Sequence, residues 1–295
     1  MFDLRYHVAS LAAVFVALVL GIFVGVGLSG RGFVSDAERE NLQSRIEELR
    51  GERDDAVARA QAAGVRGDAL DDYARTSYPD LVRGRLDGSA VGIVFVGSAD
   101  QGVAETVRRA VGDAGGRVTT MRALRVPLDT EAIDDALGAD LETRDLAGPD
   151  NREQLGRELA RELVNGGPDP VLDRVAADLV EEQSGVATRA LDAVVVARPA
   201  RPQGGETQTF LSGIYGGLAA ARLPAVGVDQ ADDKVTAVPV FRRSGLATVS
   251  GIDDATGQVA LVYLLAGARS GSYGLGPSAV DGVLPVPPPT PPAAE

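Results

Sequence analysis

One uninterrupted apolar segment near the N-terminus constrains this chain more than any other feature. Residues 8–28 read VASLAAVFVALVLGIFVGVGL, and no charged residue lies between Arg5 and Arg31. A helix of this length rises about 31 Å, which matches the roughly 30 Å hydrocarbon core of a bilayer. The segment is apolar on every face, unlike the amphipathic helices of soluble domains, so we predict that it crosses a membrane.

The length and the ending of this segment predict an uncleaved signal anchor over residues 1–30. The apolar part of a signal peptide is about 7–15 residues long and is followed by an A-x-A-like cleavage site. Here the segment is longer and its end has no clear A-x-A sequence. Basic residues counted alone slightly favour export of the N-terminus. Long domains translocate largely regardless of charge, so we expect a cytoplasmic N-terminal tail and an extracytoplasmic soluble domain.

Small residues recur every four positions within the apolar segment, at Ala17, Gly21 and Gly25. Such spacing lets two helix backbones approach closely in lipid, and it predicts a face that binds a second copy or another membrane helix. The alternative is that these residues have no such role, because glycine is frequent in membrane helices generally.

A coiled-coil stalk is predicted over residues 31–67. Apolar residues begin a heptad series at Leu42, Ile46 and Leu49. The series then fades into alanines and an arginine, so a single charged helix remains the alternative. Together with the small-residue face, the series predicts a parallel homodimer through residues 10–63. We expect Gly64 and Gly67 to end the helix.

The composition of the chain excludes several classes of function. There are 42 acidic and 29 basic residues, and the formal net charge is −13. A nucleic-acid-binding protein needs a basic face, so we expect no nucleic acid partner. The chain has no cysteine, which excludes disulfides, thiolate chemistry and cysteine-based metal sites.

Alternating strand and helix patterns predict an α/β domain over residues 88–280, preceded by a helical connector at residues 68–87 that Pro79 interrupts. The first strand, helix and strand are expected at residues 90–96, 103–111 and 117–124. Because this succession is a βαβ unit, the sheet should be parallel. The predicted fold class is therefore α/β, with a Rossmann-like or flavodoxin-like sheet.

The remainder of the domain continues the alternation. Helices are expected at residues 129–137, 151–164, 170–183, 207–222 and 256–267. Buried strands are expected at residues 191–197 and 224–229, and edge strands at 235–241 and 246–250. We expect residues 271–276 to form a glycine-rich loop and residues 281–295 to form a proline-rich disordered tail.

Few side chains in this sequence are suited to catalysis. His7 is the only histidine and borders the membrane segment, so no catalytic triad can be assembled and we predict that the protein is not an enzyme. Paired carboxylates bind hard cations or transfer protons, which makes four aspartates weak metal candidates. These are Asp229, Asp232, Asp233 and Asp253. The alternative is that they are loop and helix-cap residues.

The turn at residues 97–102 follows the first strand, at the position where doubly wound folds bind ligands. It has neither the G-x-G-x-x-G sequence of dinucleotide sites nor the lysine of a P-loop. We therefore expect Ser98 and Asp100 to be turn and helix-cap residues, and no cofactor is evident.

Four stretches of the sequence carry a family resemblance. They are residues 2–22, the strand, loop and helix of residues 94–116, residues 247–254, and the Gly-x-Tyr-Gly-x-Gly motif at residues 271–276. In these stretches the chain resembles the MctB-like copper transport family of actinobacteria. The resemblance implies an envelope protein with one N-terminal membrane segment and a role in copper transport or homeostasis. It also implies a link to the cell-envelope and division machinery through a partner protein.

The residues present are poorly suited to direct copper binding. Cu(I) prefers sulfur ligands and Cu(II) favours histidine, but beyond the initiator the chain offers only Met121 and His7. Ser272 stands in the terminal glycine motif where the resemblance leads us to expect histidine. Two functions remain open: a copper-homeostasis protein, and a non-enzymatic dimeric scaffold that engages an envelope or division partner. A third is a small-molecule sensor that uses the crevice of the α/β domain.

Overall fold

A computed structural model describes residues 4–29, 36–186, 189–198, 201–230 and 236–289. The chain divides into two compact units, Met1–Asp68 and Ala69–Glu295. The first unit is helical in its described part, and the second contains a β-sheet covered by helices.

Helix α1 spans Leu4–Ser29 and contains the apolar segment. Within the described residues, His7–Gly27 is the one stretch long and apolar enough to cross a membrane, and none of it is buried inside the chain. The apolar helix predicted at residues 8–28 is therefore confirmed, with a length and composition sufficient to span a bilayer.

Helix α2 spans Asp36–Val82 without interruption. The expectation that Gly64 and Gly67 end a stalk helix was wrong, as was the break expected at Pro79. An isolated glycine costs a helix only about 1 kcal/mol relative to alanine, and the neighbouring alanine, arginine and leucine residues are strong helix formers. Pro79 lies close to the end of α2, and its carbonyl still accepts a hydrogen bond from Arg83 N at 3.2 Å.

The described part of the second unit contains one seven-stranded sheet in the order β3-β2-β1-β4-β5-β6-β7. The strands are β1 Ala90–Val96, β2 Arg117–Leu124, β3 Val180–Gly185, β4 Ala193–Ala197, β5 Ala225–Asp229, β6 Ala247–Ser250 and β7 Ser272–Gly274. All neighbouring strands are parallel except β2 and β3, which pair antiparallel. The predicted α/β class is confirmed, with a mostly parallel sheet.

Helices cover both faces of the sheet. They are α3 Gln101–Asp113, α4 Thr130–Gly138, α5 Arg152–Asn165, α6 Pro170–Leu179, α7 Gly205–Ala220, α8 Val238–Arg243 and α9 Ala255–Leu265. Alternate residues of β1 contribute to two hydrophobic cores, one on each face of the sheet. Val91, Ile93 and Phe95 share a core with α3 and α9, whereas Val94 and Val96 share a core with α4 to α8. Burial on both faces explains why the central strands are continuous apolar runs.

Three of the predicted elements differ in the structure. The described part of the expected edge strand at residues 235–241 is mostly helix α8, because Pro239 cannot donate to a strand ladder but is tolerated in the first turn of a helix. The strand at residues 246–250 is not an edge strand, since β6 lies between β5 and β7. Helix α6 ends at Leu179, and the polar residues expected to continue it form the exposed strand β3.

The glycine-rich segment at residues 271–276 is not a plain loop, because it contains the buried strand β7. The Ser272 hydroxyl donates to Ser278 O at 2.7 Å and lies 2.8 Å from Thr248 Oγ1. Gly274 has a φ of +124°, and a Cβ there would lie 2.1 Å from Ser250 O. Glycine is therefore required at this position by both the backbone conformation and the close approach of β6.

The first part of the predicted disordered tail is hydrogen-bonded to the domain. Asp281 Oδ2 accepts from Ser272 N at 2.8 Å, and Gly274 N donates to Gly282 O and Val283 O at 3.3 and 3.1 Å. Arg85 Nη1 donates to Pro288 O at 2.5 Å. The rest of the predicted tail, residues 290–295, lies outside the described residues.

Candidate functional site

The carboxyl ends of the parallel strands meet at one edge of the sheet, which is where folds of this class bind ligands. In the turn after β1, Asp100 occupies the N-cap position of α3, and its Oδ1 accepts from Val103 N at 2.9 Å. The Ser98 hydroxyl donates to Glu181 Oε1 at 3.2 Å. Both side chains therefore have structural partners, as the sequence analysis expected of turn and cap residues.

Asp229, at the end of β5, is buried and holds neighbouring loops together. Its Oδ2 accepts a hydrogen bond from the Thr236 hydroxyl. Its backbone carbonyl accepts from Gly251 N at 3.1 Å and from Ile252 N at 3.0 Å. These contacts join the end of β5 to the turn that precedes α9.

Of the other three metal candidates, only Asp253 lies in the described structure, and it does not form a metal site with Asp229 there. Asp232 and Asp233 lie outside the described residues. Asp253 is exposed in the turn before α9, and Asp254 occupies the N-cap position of that helix. No group of three or more His, Asp or Glu side chains suited to a metal ion occurs in residues 4–29, 36–186, 189–198, 201–230 and 236–289.

The side chains considered for copper are also not arranged as a binding site. Met121 is buried in the core under α3, and its sulfur lies 3.5 Å from Arg108 Nη2. His7 is on α1, the apolar helix. Ser272 is occupied by its bonds to Thr248 and Ser278. Among the described residues, Met121, His7 and Ser272 therefore do not form a site with the sulfur or imidazole ligands that copper prefers.

An exposed row of apolar side chains on α2 is a candidate binding surface. Leu42, Ile46 and Leu49 are 55%, 46% and 62% exposed. Because α2 continues past the glycines, the heptad spacing also continues, and Leu70 lies three heptads after Leu49. This continuation was not predicted, because Gly64 and Gly67 were expected to end the helix.

The small-residue face of α1 is likewise exposed. Ala17, Gly21 and Gly25 lie at four-residue spacing on α1, where every side chain of residues 7–27 is exposed. A Cβ built on Gly21 would meet nothing within 4 Å. This face therefore has room for the close approach of another helix.

A buried arginine joins three helices of the second unit, and sequence spacing gave no sign of it. Arg152, on α5, is 1% exposed. Its Nη1 and Nη2 donate to the two carboxylate oxygens of Asp134, on α4, at 2.7 Å each. Its Nε donates to Glu206 Oε2, on α7, at 2.7 Å. Hydrogen bonds from Arg152 are the main reason why the pKa of Asp134 is lowered.

Comparison with known proteins places these features in a family. A family described as "Copper transport outer membrane protein, MctB" matches residues 1–285. The chain belongs to the MctB family. The resemblance predicted from the N-terminal sequence and the three later motifs is confirmed, and the match includes both α1 and the whole sheet.

Two mycobacterial members of the MctB family are similar to part of this chain. Proteins named "Copper transporter MctB" from Mycobacterium bovis and Mycobacterium tuberculosis are each 32% identical to it over 126 residues. The aligned region covers 42% of this chain and 38% of each relative. The alignment thus spans well under half of these relatives.

Proposed function

We propose that this MctB family member is a single-pass envelope membrane protein with a role in copper transport or homeostasis, and that it is not an enzyme. The observation that carries the proposal is α1, whose residues 7–27 are apolar, long enough to span a bilayer and unburied. Such a helix is stable in lipid and costly to expose to water. The copper role is taken from the names of the family and of its mycobacterial members.

In this proposal α1 is a signal anchor and the α/β domain lies outside the cytoplasm. We infer a flavodoxin-like domain, since the parallel strands β2-β1-β4-β5-β6, renumbered without β3, follow the order 2-1-3-4-5. A single apolar helix offers no polar path for an ion. The copper role of this chain is therefore proposed to be indirect, exerted through other proteins and not through a fixed copper site.

We predict that the purified full-length protein in detergent binds no copper tightly. Calorimetric titration with Cu(I) and with Cu(II) should show no stoichiometric binding at micromolar or lower Kd, because no described cluster of sulfur or imidazole ligands exists. The volume-conserving variant Met121→Leu should give the same traces. Stoichiometric micromolar binding by the wild type would contradict an indirect role, and its loss in the variant would identify Met121 as a ligand.

A second candidate function is a dimeric scaffold that presents the α/β domain to an envelope protein. It is favoured by the exposed heptad stripe at Leu42, Ile46 and Leu49, which a parallel partner helix would cover. Burial of such side chains stabilises an interface by about 1.5–3 kcal/mol each. The two candidates are compatible if the partner of the scaffold is the protein that handles copper.

The double variant Ile46→Glu, Leu49→Glu is predicted to dissociate the homodimer. Two buried charges in the seam should weaken dimerisation at least 100-fold. Sedimentation of the full-length protein in detergent measures the change. Val65→Glu is the matched control, since Val65 is 71% exposed but lies off the heptad seam, and it should remain dimeric.

The same pair of variants tests the scaffold by partner capture. Pull-down of the wild-type protein from cross-linked membranes should retain a stable envelope partner, which the seam variant should lose and the Val65→Glu control should keep. A wild type that sediments as a monomer would rule out the stalk dimer, whatever the outcome of the capture experiment.

A further inference from the structure

A cavity of about 460 Å³ lies between α7 and α8, beside the residue that follows β4. Among the residues that the structure describes, its charged lining residues are Arg198 and Arg243, and none of the lining residues is acidic. Gln203, Gln208, Ser212 and Ser244 also line the cavity, and the Gln203 amide and the two serine hydroxyls donate to backbone carbonyls of the chain itself. In a chain with a net charge of −13, two arginines facing a cavity without a carboxylate make a locally positive site.

The two arginines have no carboxylate partner in the described structure. Ion pairs of the described residues engage other arginines, such as Arg152 and Arg189, but neither Arg198 nor Arg243. Arg198 donates from Nη2 to the backbone oxygen of Arg201 at 3.4 Å. Its Nε is buried and has no hydrogen-bond partner in the part of the chain that the structure describes.

Tyr215 contributes a second buried polar group to the same cavity. Its ring packs edge-on against Phe241, with 5.2 Å between the ring centroids. Its hydroxyl is buried and interacts with the Arg198 guanidinium, and its own O–H proton has no acceptor among the described residues. Burial raises the pKa of Tyr215 to about 12, with the nearby Arg198 acting in the opposite direction, so the group stays a neutral donor. Unpartnered buried donors are costly, and a ligand that accepts from them relieves this cost.

We propose that this cavity binds a small organic anion through its phosphate or carboxylate group. The Arg198 and Arg243 guanidinium groups are suited to hold an oxyanion, because their planar arrays of N–H donors match the geometry of carboxylate and phosphate. The Tyr215 hydroxyl donates a further hydrogen bond from the interior. The volume lies within the usual range of small-molecule sites, about 300–1,000 Å³. This site is independent of copper and of the stalk dimer.

Thermal unfolding of the full-length protein in detergent tests the proposal. The probes are inorganic phosphate, pyrophosphate and citrate, each compared with sodium chloride at equal ionic strength. At a concentration ten times its Kd, a probe that binds the native state should raise the Tm of the domain by about 3–6 °C above the chloride control. A response to phosphate or pyrophosphate alone assigns a phosphate ligand, and a response to citrate alone assigns a carboxylate ligand.

Three variants locate the binding site. Arg198→Gln and Arg243→Gln should each weaken the responding anion at least ten-fold, measured by the concentration that gives half of the Tm rise. Tyr215→Phe should also weaken it, while leaving the ligand-free protein folded, because the ring that packs on Phe241 is kept. Arg242→Gln is the matched control, since Arg242 neighbours Arg243 on α8 but does not line the cavity.

Two results would overturn the proposal. One is the absence of any Tm rise above the chloride control with all three anions. The other is an equal loss of the response in Arg242→Gln and Arg243→Gln, which would show that the anions act on general surface charge and not in the cavity.

Discussion

Replacing Arg152 by alanine is expected to lower the free energy of unfolding by about 2–3 kcal/mol, because a buried guanidinium that donates to two carboxylates is lost while those carboxylates remain partly exposed to water. Arg152 is almost fully buried and donates to both Asp134 and Glu206. Without it, two carboxylates from α4 and α7 face each other across a space left by the guanidinium. Denaturant unfolding of the full-length protein in detergent measures the loss.

Arg157→Ala is the control for this prediction. Arg157 is on the same helix, but it is 55% exposed and its ion pair with Glu153 is at the surface. Surface pairs contribute about 0–1 kcal/mol, so the control should lose little stability. Equal losses in the two variants would contradict a special role for the buried cluster.

The pH dependence of stability provides a second measurement on the same cluster. The pKa of Asp134 is lowered in the folded state, so its contribution is present above the unfolded pKa of about 3.9 and is lost as the pH falls through the folded pKa. The wild type should therefore lose stability on acidification below about pH 4. In Arg152→Ala this part of the acid dependence should be weaker, because Asp134 has lost the partner that lowers its pKa.

Replacing Gly213 by alanine is expected to destabilise the domain by about 3 kcal/mol, near the upper end of the usual cost of overpacking. Helices α5 and α7 pack at very close range, and a Cβ on Gly213 would lie 2.2 Å from Glu153 O. The clash is with backbone, so a side-chain rotation cannot relieve it. A Cβ on Gly156 of α5 would likewise lie 2.2 Å from Phe210 O.

Gly216 provides a control of opposite sign on the same helix. A Cβ at Gly216 would meet nothing within 4 Å. Gly216→Ala should therefore stabilise the domain by about 0.5–1 kcal/mol through helix propensity alone. If Gly213→Ala were as stable as Gly216→Ala in thermal or denaturant unfolding, the close contact of α5 and α7 would be disproved.

Elements with strong local patterns could be predicted from the sequence. The strands β1, β4 and β5 consist mainly of β-branched and small apolar residues, and α1 is apolar on every side. In these elements the secondary structure that the residues favour locally is also the one that their burial in the fold requires. The Asp100 cap of α3 was also predictable, because the aspartate, the turn and the amphipathic helix follow one another directly.

Elements that depend on distant partners could not be predicted. Strand β3 reads as polar helix in isolation, and it becomes a strand by pairing with β2, about sixty residues earlier. Strand β7 is three residues long and exists through its register with β6. The cavity between α7 and α8 could not be predicted for the same reason, since Arg198, Tyr215 and Arg243 come from a loop and two helices and have no common spacing in the sequence.

The two ends of the sheet have a consequence for contacts between copies of this protein. At one end β3 presents exposed charged side chains, including Glu181 and Glu182. At the other end the chain folds back, and Gly274 N of β7 bonds to Gly282 and Val283. Charged or covered edge strands resist pairing with strands of other molecules. Copies of the domain can therefore be present at high concentration without pairing strands at the ends of their sheets.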